Sequence, residues 1–544
     1  MARAFDYDVV VIGAGPVGLA QAIELGARGV RVLVAERSDR AGRAPRAKTT
    51  NVRTRTHLRR WGIADKLAAA SPQGVDYPND VMFVTRLAAH KLAHFRNAFN
   101  GYVEKSDLYP EHAQWVPQYV LERVMREHLP NLPTARLQFD RELTTAEQDS
   151  EGVTAHLRGV KGDAYSITCR YLIGADGARS RVRELIGAKM EGKYGLSRNY
   201  NIVFRAPGLA RSHSHGRAVM YCQVNRDGAS LIGPMDRDDI WYFMPTGMGE
   251  GQTLSNEEAA GAIRRATGID LPYEIVSTDE WVASHLLADR YRQGRLFLAG
   301  DACHLHPPFG GYGMNMGIGD GVDLGWKIAA VLQGWGGPAL LDSYEIERRP
   351  VHQAVIDEAV ANHAVLGGQL YRDGLEDETP EGEALRAEVG AHIQKVKVRE
   401  FNTLGTVLGL CYENSPIICD DGSRASGGSG ADYAPCGRPG CLAPHAWLAD
   451  GRALYDLFGP GFSLLIDAAA DQSQGAAAER DAEALGVPLT LVRPAGLSIA
   501  GLYGADLVLV RPDQHVAWRG SEWSSLVLPR VVGMADDATA KRSS

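Results

Sequence analysis

The chain begins with a run of almost uninterrupted apolar residues, Tyr7–Ile12. A run this short and this apolar predicts a strand buried on both faces. Apolar positions then recur at helical spacing over residues 19–28, and a second apolar run covers 30–35. Strand, helix and strand in this order predict a parallel βαβ unit. Residues 116–129 are amphipathic at helical period behind Pro117, and 135–139, 153–157 and 165–169 predict a small antiparallel sheet beside the first unit. Alternation returns at 201–205, 218–224, 229–234 and Ile240–Pro245, with turn residues between runs, as in Asn225-Arg226-Asp227-Gly228. That stretch predicts a larger sheet, followed by a short helix over Asn256–Thr267. After it come helical patterns at 326–334, 339–372 and 380–410, then a Gly/Ser/Asp-rich linker from Asp420 to Pro439. Strands at 454–458, Phe462–Ile466, Leu489–Val492 and 507–511, with a helix at 476–485, predict a small α/β tail domain. The resulting division is 1–195, an inserted sheet domain 196–290, 291–415, a linker 416–439 and the tail 440–534.

Three stretches carry chemistry. Gly13-Ala14-Gly15-Pro16-Val17-Gly18 links the first strand to its helix, and Glu36 ends the second strand. In this context Gly13 permits the tight turn, Gly15 lets backbone approach a pyrophosphate, and Gly18 lets the helix close on the strand. Glu36 is then in place for a ribose hydroxyl pair. The basic run that follows, with Arg37, Arg46 and Lys48, is close enough to meet phosphate oxygens. Gln118 stands at the first turn of the 116–129 helix as a further cofactor contact. The second stretch, 171–183, runs a strand into Gly174-Ala175-Asp176-Gly177 and a basic helix. The third, 295–327, runs a strand into Gly300-Asp301 and a loop holding His306, Pro307, Pro308, Gly310, Gly311 and Gly313. A helix starts near Met314 and Asn315, and its free N–H groups suit a partner that gains negative charge.

Composition narrows the reading. The 544 residues are 45% hydrophobic and 23% charged, with a net charge of −8, so nucleic acid and anionic membranes are poor partners. No run is long enough to cross a membrane, and the start moves directly into a strand, which places the expectation in the cytoplasm. Seven scattered cysteines fit reduced, structural thiols. Cys436 and Cys441 have neither dithiol-exchange nor zinc spacing.

GAGPVG with Glu36, GADGARSRVR and GDACHLHPPFGGYGMNMGIGD together resemble the three fingerprints of the class A FAD-dependent aromatic hydroxylases, with the para-hydroxybenzoate hydroxylase fold. The resemblance covers roughly 7–350 and includes WKIAAVLQG and SYEIERRPV. The tail, through PGCLAPH, LYDLFGPGFSLL and VLVRPDQHVAWRG, is similar to the thioredoxin-like domain of the phenol hydroxylase branch. The resemblance implies an α/β fold: a Rossmann-type FAD-binding domain, an inserted β-sheet substrate domain and a C-terminal thioredoxin-like domain. It implies that Gly13, Gly15 and Gly18 hold the FAD pyrophosphate, that Glu36 binds the adenosine ribose, and that Pro16 and Arg37 belong to the cofactor site. Arg46 and Gln118 would contact FAD, Asp176 would lie on the pyrophosphate side, and Gly300-Asp301 would meet the ribityl chain. Pro308, Gly311, Gly313, Met314 and Asn315 would surround the flavin ring. The activity implied is ring hydroxylation of a phenol through a flavin C4a-hydroperoxide, with NAD(P)H as transient co-substrate and dioxygen as oxidant. Lys48, His306 and Tyr221 are the candidates for handling the phenol proton, with Lys48 left open between phenolate and phosphate. No arginine on the sheet is placed for a substrate carboxylate, which favours a neutral or polycyclic phenol over a benzoate. A polyketide or antibiotic tailoring oxygenase is the alternative within the fold, and a flavin-binding interaction protein the alternative outside it. The resemblance also implies a homodimer.

Overall fold

Two eight-stranded sheets and one four-stranded sheet organise the chain in a computed structural model that describes residues 3–39, 47–237, 239–246, 253–364, 369–423 and 430–534. In the first sheet, Leu296–Leu298, Ala164–Gly174, Tyr7–Ile12, Val32–Ala35 and Ala135–Gln138 lie side by side and parallel. Val9, Val10 and Val11 are fully buried, as a central parallel strand requires. Helix Pro16–Gly26 packs against this sheet and against helix Gly313–Leu332.

The small antiparallel sheet differs from expectation. Ala135–Gln138 joins the parallel sheet at its edge instead. The antiparallel partners are Arg141–Gln148 and Val153–Gly159, and Ala164–Gly174 is one continuous strand serving both arrangements. Arg141–Gln148 reads RELTTAEQ, with a single buried residue, Leu143, so apolar alternation does not reveal it.

The second sheet runs His304–Leu305, Glu274–Ala288, Met190–Arg205, Ile240–Pro245, Gly228–Pro234, Met220–Asn225, Val81–Val84 and Lys91–Phe95. It therefore recruits strands from before residue 196, and the boundary expected there does not separate the sheet from what precedes it. Its two faces have different covers. Tyr221, Ile232, Trp241 and Phe243 pack under helix Asn256–Thr267. Val203, Cys222, Val224 and Tyr242 point the other way, into a cluster with Trp115 and with Ile393 and Phe401 of helix Pro380–Phe401.

The tail carries Leu489–Val492, Phe462–Ile466, Leu507–Val510 and Val516–Gly520 in that order, with helix Gln472–Leu485, as a thioredoxin-like domain. The expected strand at 454–458 is a short 3-10 turn, Leu454–Leu457. The tail shares its core with the helix at the site: Trp326 and Trp335 both pack edge-on against Phe462. The linker is not a free tether at its start, since Ile417 and Ile418 are buried. The expectation of reduced thiols is also corrected. Cys411 and Cys441 form a disulfide, because a bond from Tyr412 N–H to the Gly440 carbonyl (2.8 Å) sets the two chain segments side by side. Among the described residues no helix is long and apolar enough to cross a membrane.

Candidate active site

The glycine turn is closed from every side. The Gly13 N–H donates to the Ala35 carbonyl (2.8 Å), and its φ of +103° is the left-handed region that glycine tolerates. A Cβ on Gly13 would lie 2.4 Å from the Ala175 carbonyl oxygen, and one on Gly18 would lie 1.9 Å from the Gly13 carbonyl oxygen. Gly15 and Pro16 start helix Pro16–Gly26, whose first turn has no side-chain cap and no acidic residue. That end presents free N–H groups and the positive pole of the helix. The Glu36 carboxylate accepts hydrogen bonds from the Ala14 N–H (2.8 Å) and from the Ser38 N–H and hydroxyl (both 3.1 Å). It is buried at the strand end, while Arg37 is exposed; Arg46 lies outside the described residues.

Asp176 lies beside the glycine turn, its Cα 3.2 Å from where a Cβ on Gly13 would stand, and it has a further role that the sequence reading did not give it. Its carboxylate caps helix Arg181–Leu185, accepting from the Ser180 hydroxyl (2.5 Å) and from the N–H groups of Arg181 (2.7 Å) and Val182 (3.2 Å). Burial pushes its pKa up. Gln118 is half-buried at the start of helix Gln118–His128: its N–H donates to the Ala47 carbonyl (3.0 Å) and its side-chain amide to Glu122 (2.8 Å).

Strand Leu296–Leu298 ends at Gly300, where φ is +63° and a Cβ would meet Val17 at 2.7 Å. Asp301 stands exposed at this tip. Beneath it lies a buried polar knot that the sequence reading did not single out. The Asp320 carboxylate accepts from Gly300 N–H (3.0 Å) and Arg348 Nε (2.8 Å), and it lies 3.0 Å from His304 Nε2 and 2.8 Å from His352 Nε2. Its contacts with His352, Arg348 and His304 hold its pKa well below the carboxylate range despite the opposing effect of burial. Asp320 sits in the GIGDGVD segment and Arg348 in SYEIERRPV, so motif position was the available signal.

Asn315 joins the two walls of the site. Its side chain accepts from Asn51 N–H (3.0 Å) and donates to the carbonyls of Thr49 and Gly311 (both 2.8 Å). Thr49–Thr50 is itself paired to Gln114–Trp115. Thus the segment holding Lys48 is fixed to the loop holding Pro308 and to the start of helix Gly313–Leu332. That 20-residue helix has no side-chain cap at its start. Pro308 is exposed, and Gly311 and Met314 are partly so. A Cβ at Gly311 would press on Thr49 at 3.1 Å, and one at Gly313 on His306 at 3.3 Å.

Of the three proton-handling candidates, Lys48 meets the site face of the second sheet. Its ammonium nitrogen lies 4.1 Å from the centroid of Tyr242. No carboxylate pairs with it among the described residues, and burial lowers its pKa to about 8. Tyr221 is corrected: it faces the opposite side, under helix Asn256–Thr267, and its hydroxyl donates to the Gly216 carbonyl (2.5 Å). The residue placed where Tyr221 was expected is Tyr242, and strict alternation along IWYFMP is the signal that separates it from Trp241 and Phe243. His306 stacks on His304 with Nδ1 toward the Pro307 carbonyl (3.2 Å), and burial lowers its pKa to about 4. His306 Nε2 and Thr50 Oγ1 are buried without a hydrogen-bond partner among the described residues. Uncapped helix starts, a turn that only glycine fits, and orphaned polar atoms on the walls all fit FAD.

Comparison with known proteins agrees. The family profile described as "FAD binding domain" matches residues 6–359, and that described as "Aromatic-ring hydroxylase, C-terminal" matches 436–535. The 4-methyl-5-nitrocatechol 5-monooxygenase of a Burkholderia species is 32% identical, covering 95% of this chain and 94% of its own. Aklavinone 12-hydroxylase RdmE of Streptomyces purpurascens is 32% identical over 95% and 96% of the two chains. The structure of the rebeccamycin biosynthetic enzyme RebC with reduced flavin superposes with a TM-score of 0.89 at 34% identity, covering 97% of this chain and 99% of that one. Fold and tail agree with these relatives, and the chain belongs to the FAD-dependent aromatic-ring monooxygenases.

Proposed function

We propose that the protein hydroxylates a phenolic ring between the Tyr242 face of the second sheet and the Pro307–Gly313 loop, with NAD(P)H and dioxygen as co-substrates. The chemistry supplied by bound FAD is acceptance of reducing equivalents from NAD(P)H and activation of dioxygen. Gly13, Gly15, Pro16 and Gly18 would hold the pyrophosphate, Glu36 the ribose, and Gly300-Asp301 the ribityl chain. The N–H groups at Met314 and Asn315 would meet negative charge on the flavin ring.

The observation that carries the phenol reading is Lys48. Its amine is desolvated, faces an aromatic ring and has a pKa of about 8. A phenol with a pKa of about 10 differs from it by only about two units. A proton between the two is readily shared, and a ring that has given up its proton is far more electron-rich. Free enzyme below pH 8 and free phenol hold two protons, whereas the reactive pair holds one. The ratio kcat/KM is therefore expected to rise with pH up to about 8 and to level between there and the phenol's own pKa of about 10. The apolar lining from Val203, Cys222, Val224 and Met244 would exclude water and protect the oxidant.

A second reading, oxygenation of a polycyclic polyketide or antibiotic scaffold, is supported by the similarity to aklavinone 12-hydroxylase and RebC. Both readings use the same residues. The deciding experiment follows NADH and NADPH oxidation by the FAD-loaded protein across simple phenols and polycyclic phenols, with product and peroxide quantified together. Product with little peroxide identifies the substrate class. No stimulation by any of them contradicts the proposal and supports a flavin-binding interaction protein. Use of NAD(P)H fits a cytoplasmic enzyme. A homodimer is expected in sedimentation, and a monomer at every concentration contradicts it.

A further inference from the structure

Two helices carry the walls of the site, and the tail domain grips both. Helix Val52–Arg60 starts at the Asn51 cap, directly after the Lys48–Thr50 segment. At its first turn, Arg53 donates to the Gln514 side chain and to the Asp513 carbonyl (2.5 Å). At its last turn, Arg59 donates to both oxygens of Asp456 (2.8 Å each). Helix Gly313–Leu332 is held by Arg511, which donates to Asp323 (3.0 Å) and, through both terminal nitrogens, to Glu347 (2.6 and 3.0 Å). Asp513 orients the guanidinium from the tail side (2.7 Å), and Lys327 closes the cluster on Asp323 (2.8 Å) and Glu347 (2.6 Å). These five charged side chains are buried. Near the site, the same two helices are joined by Asn315. The pair is therefore fixed at two places, one by the active-site loop and one by the tail.

Buried ion pairs return little net stability, because desolvation offsets the attraction, but their directional bonds fix geometry. The shared apolar core around Trp326, Trp335 and Phe462 already supplies adhesion. What the charges add is register. Gln514 supports this: it holds a φ of +69°, a conformation uncommon outside glycine, while its side chain meets Arg53.

We infer that the tail turn 511–515 is a positioning part of the active site: Arg511 and Gln514, acting through Asp323 and Arg53, set the separation between the Lys48 segment and the loop at 307–313. The inference rests on the hydroxylase reading for its kinetic readout, and on the flavin alone for its spectral one.

The test uses the full-length FAD-loaded protein and the variants Gln514→Ala, Arg53→Met, Arg511→Lys and Arg511→Met. Thermal unfolding, product formed per NAD(P)H consumed, and the visible flavin spectrum with and without phenol are measured on each. Gln514→Ala and Arg53→Met are expected to stay folded, to lose product per NAD(P)H about tenfold to peroxide, and to change the flavin's spectral response to phenol. Arg511→Lys is expected to recover part of what Arg511→Met loses. Variants with a lower melting temperature but parental coupling and parental spectra would overturn the inference. If the parent itself shows no phenol-stimulated oxidation, the hydroxylase reading fails separately. The flavin spectra and FAD dissociation constants of the variants then decide the positioning role.

Discussion

In the proposed reaction Lys48 handles the phenol proton, and its setting makes a sharp expectation. Its pKa lies below the ordinary lysine value because burial disfavours the charged form, so the amine becomes neutral near pH 8 and not above 10. In Lys48→Met, kcat/KM for the phenol should fall about 100-fold and the rise with pH up to about 8 should vanish. An unchanged pH profile in that variant would remove Lys48 from the proton transfer. Asn315 supports a second expectation. Asn315→Ala leaves the Thr49 and Gly311 carbonyls and the Asn51 N–H without their partner, and should cost about 2–4 kcal/mol in denaturant unfolding. A change under 1 kcal/mol would mean the two walls are joined some other way. At this scale the sequence was informative where the backbone geometry of a position follows from its motif, as for Gly13 and Gly18. It misled at Tyr221, because which face a strand residue takes depends on register with its neighbours. At Asp176 a second role was not legible: an Asp before a helix can also cap it, as its bonds from Arg181 and Val182 show.

Among the elements, the strand–glycine–helix unit was legible in full, because a buried parallel strand and a glycine turn each leave a local signature. The polar strand Arg141–Gln148 and the long strand Glu274–Ala288 left none, being held by backbone pairing with modest burial. Two glycine substitutions separate clash from strain. Gly18→Ala drives a Cβ into backbone 1.9 Å away and should abolish FAD retention on gel filtration. Gly177→Ala meets nothing within 4 Å, and its φ of +80° should cost only about 1–2 kcal/mol with FAD retained. Equal FAD loss in both would contradict the packing role given to Gly18. The Cys411–Cys441 link gives a count: five titratable thiols in denatured, unreduced protein, rising to seven after reduction. Seven before reduction would contradict the disulfide.

Across the whole molecule, the chain order of domains was readable from motif and composition, but the joints between them were not. Arg511 and Asp323 meet across 188 positions, and no local pattern announces such a pair. The same holds for Arg59 and Asp456, which are 397 positions apart. Both pairs tie the tail to the helices of the site. In the proposed arrangement the molecule is one catalytic body: the first sheet holds FAD, the second supplies the aromatic-facing wall, and the tail sets the frame between them. The most direct test of that account is turnover of the best phenol under isotopically heavy dioxygen, with the product examined by mass spectrometry. The account predicts that the new hydroxyl carries heavy oxygen in proportion to the NAD(P)H consumed. A hydroxyl derived from water, or peroxide as the only oxygen product with every phenol and polycyclic phenol tried, would contradict it.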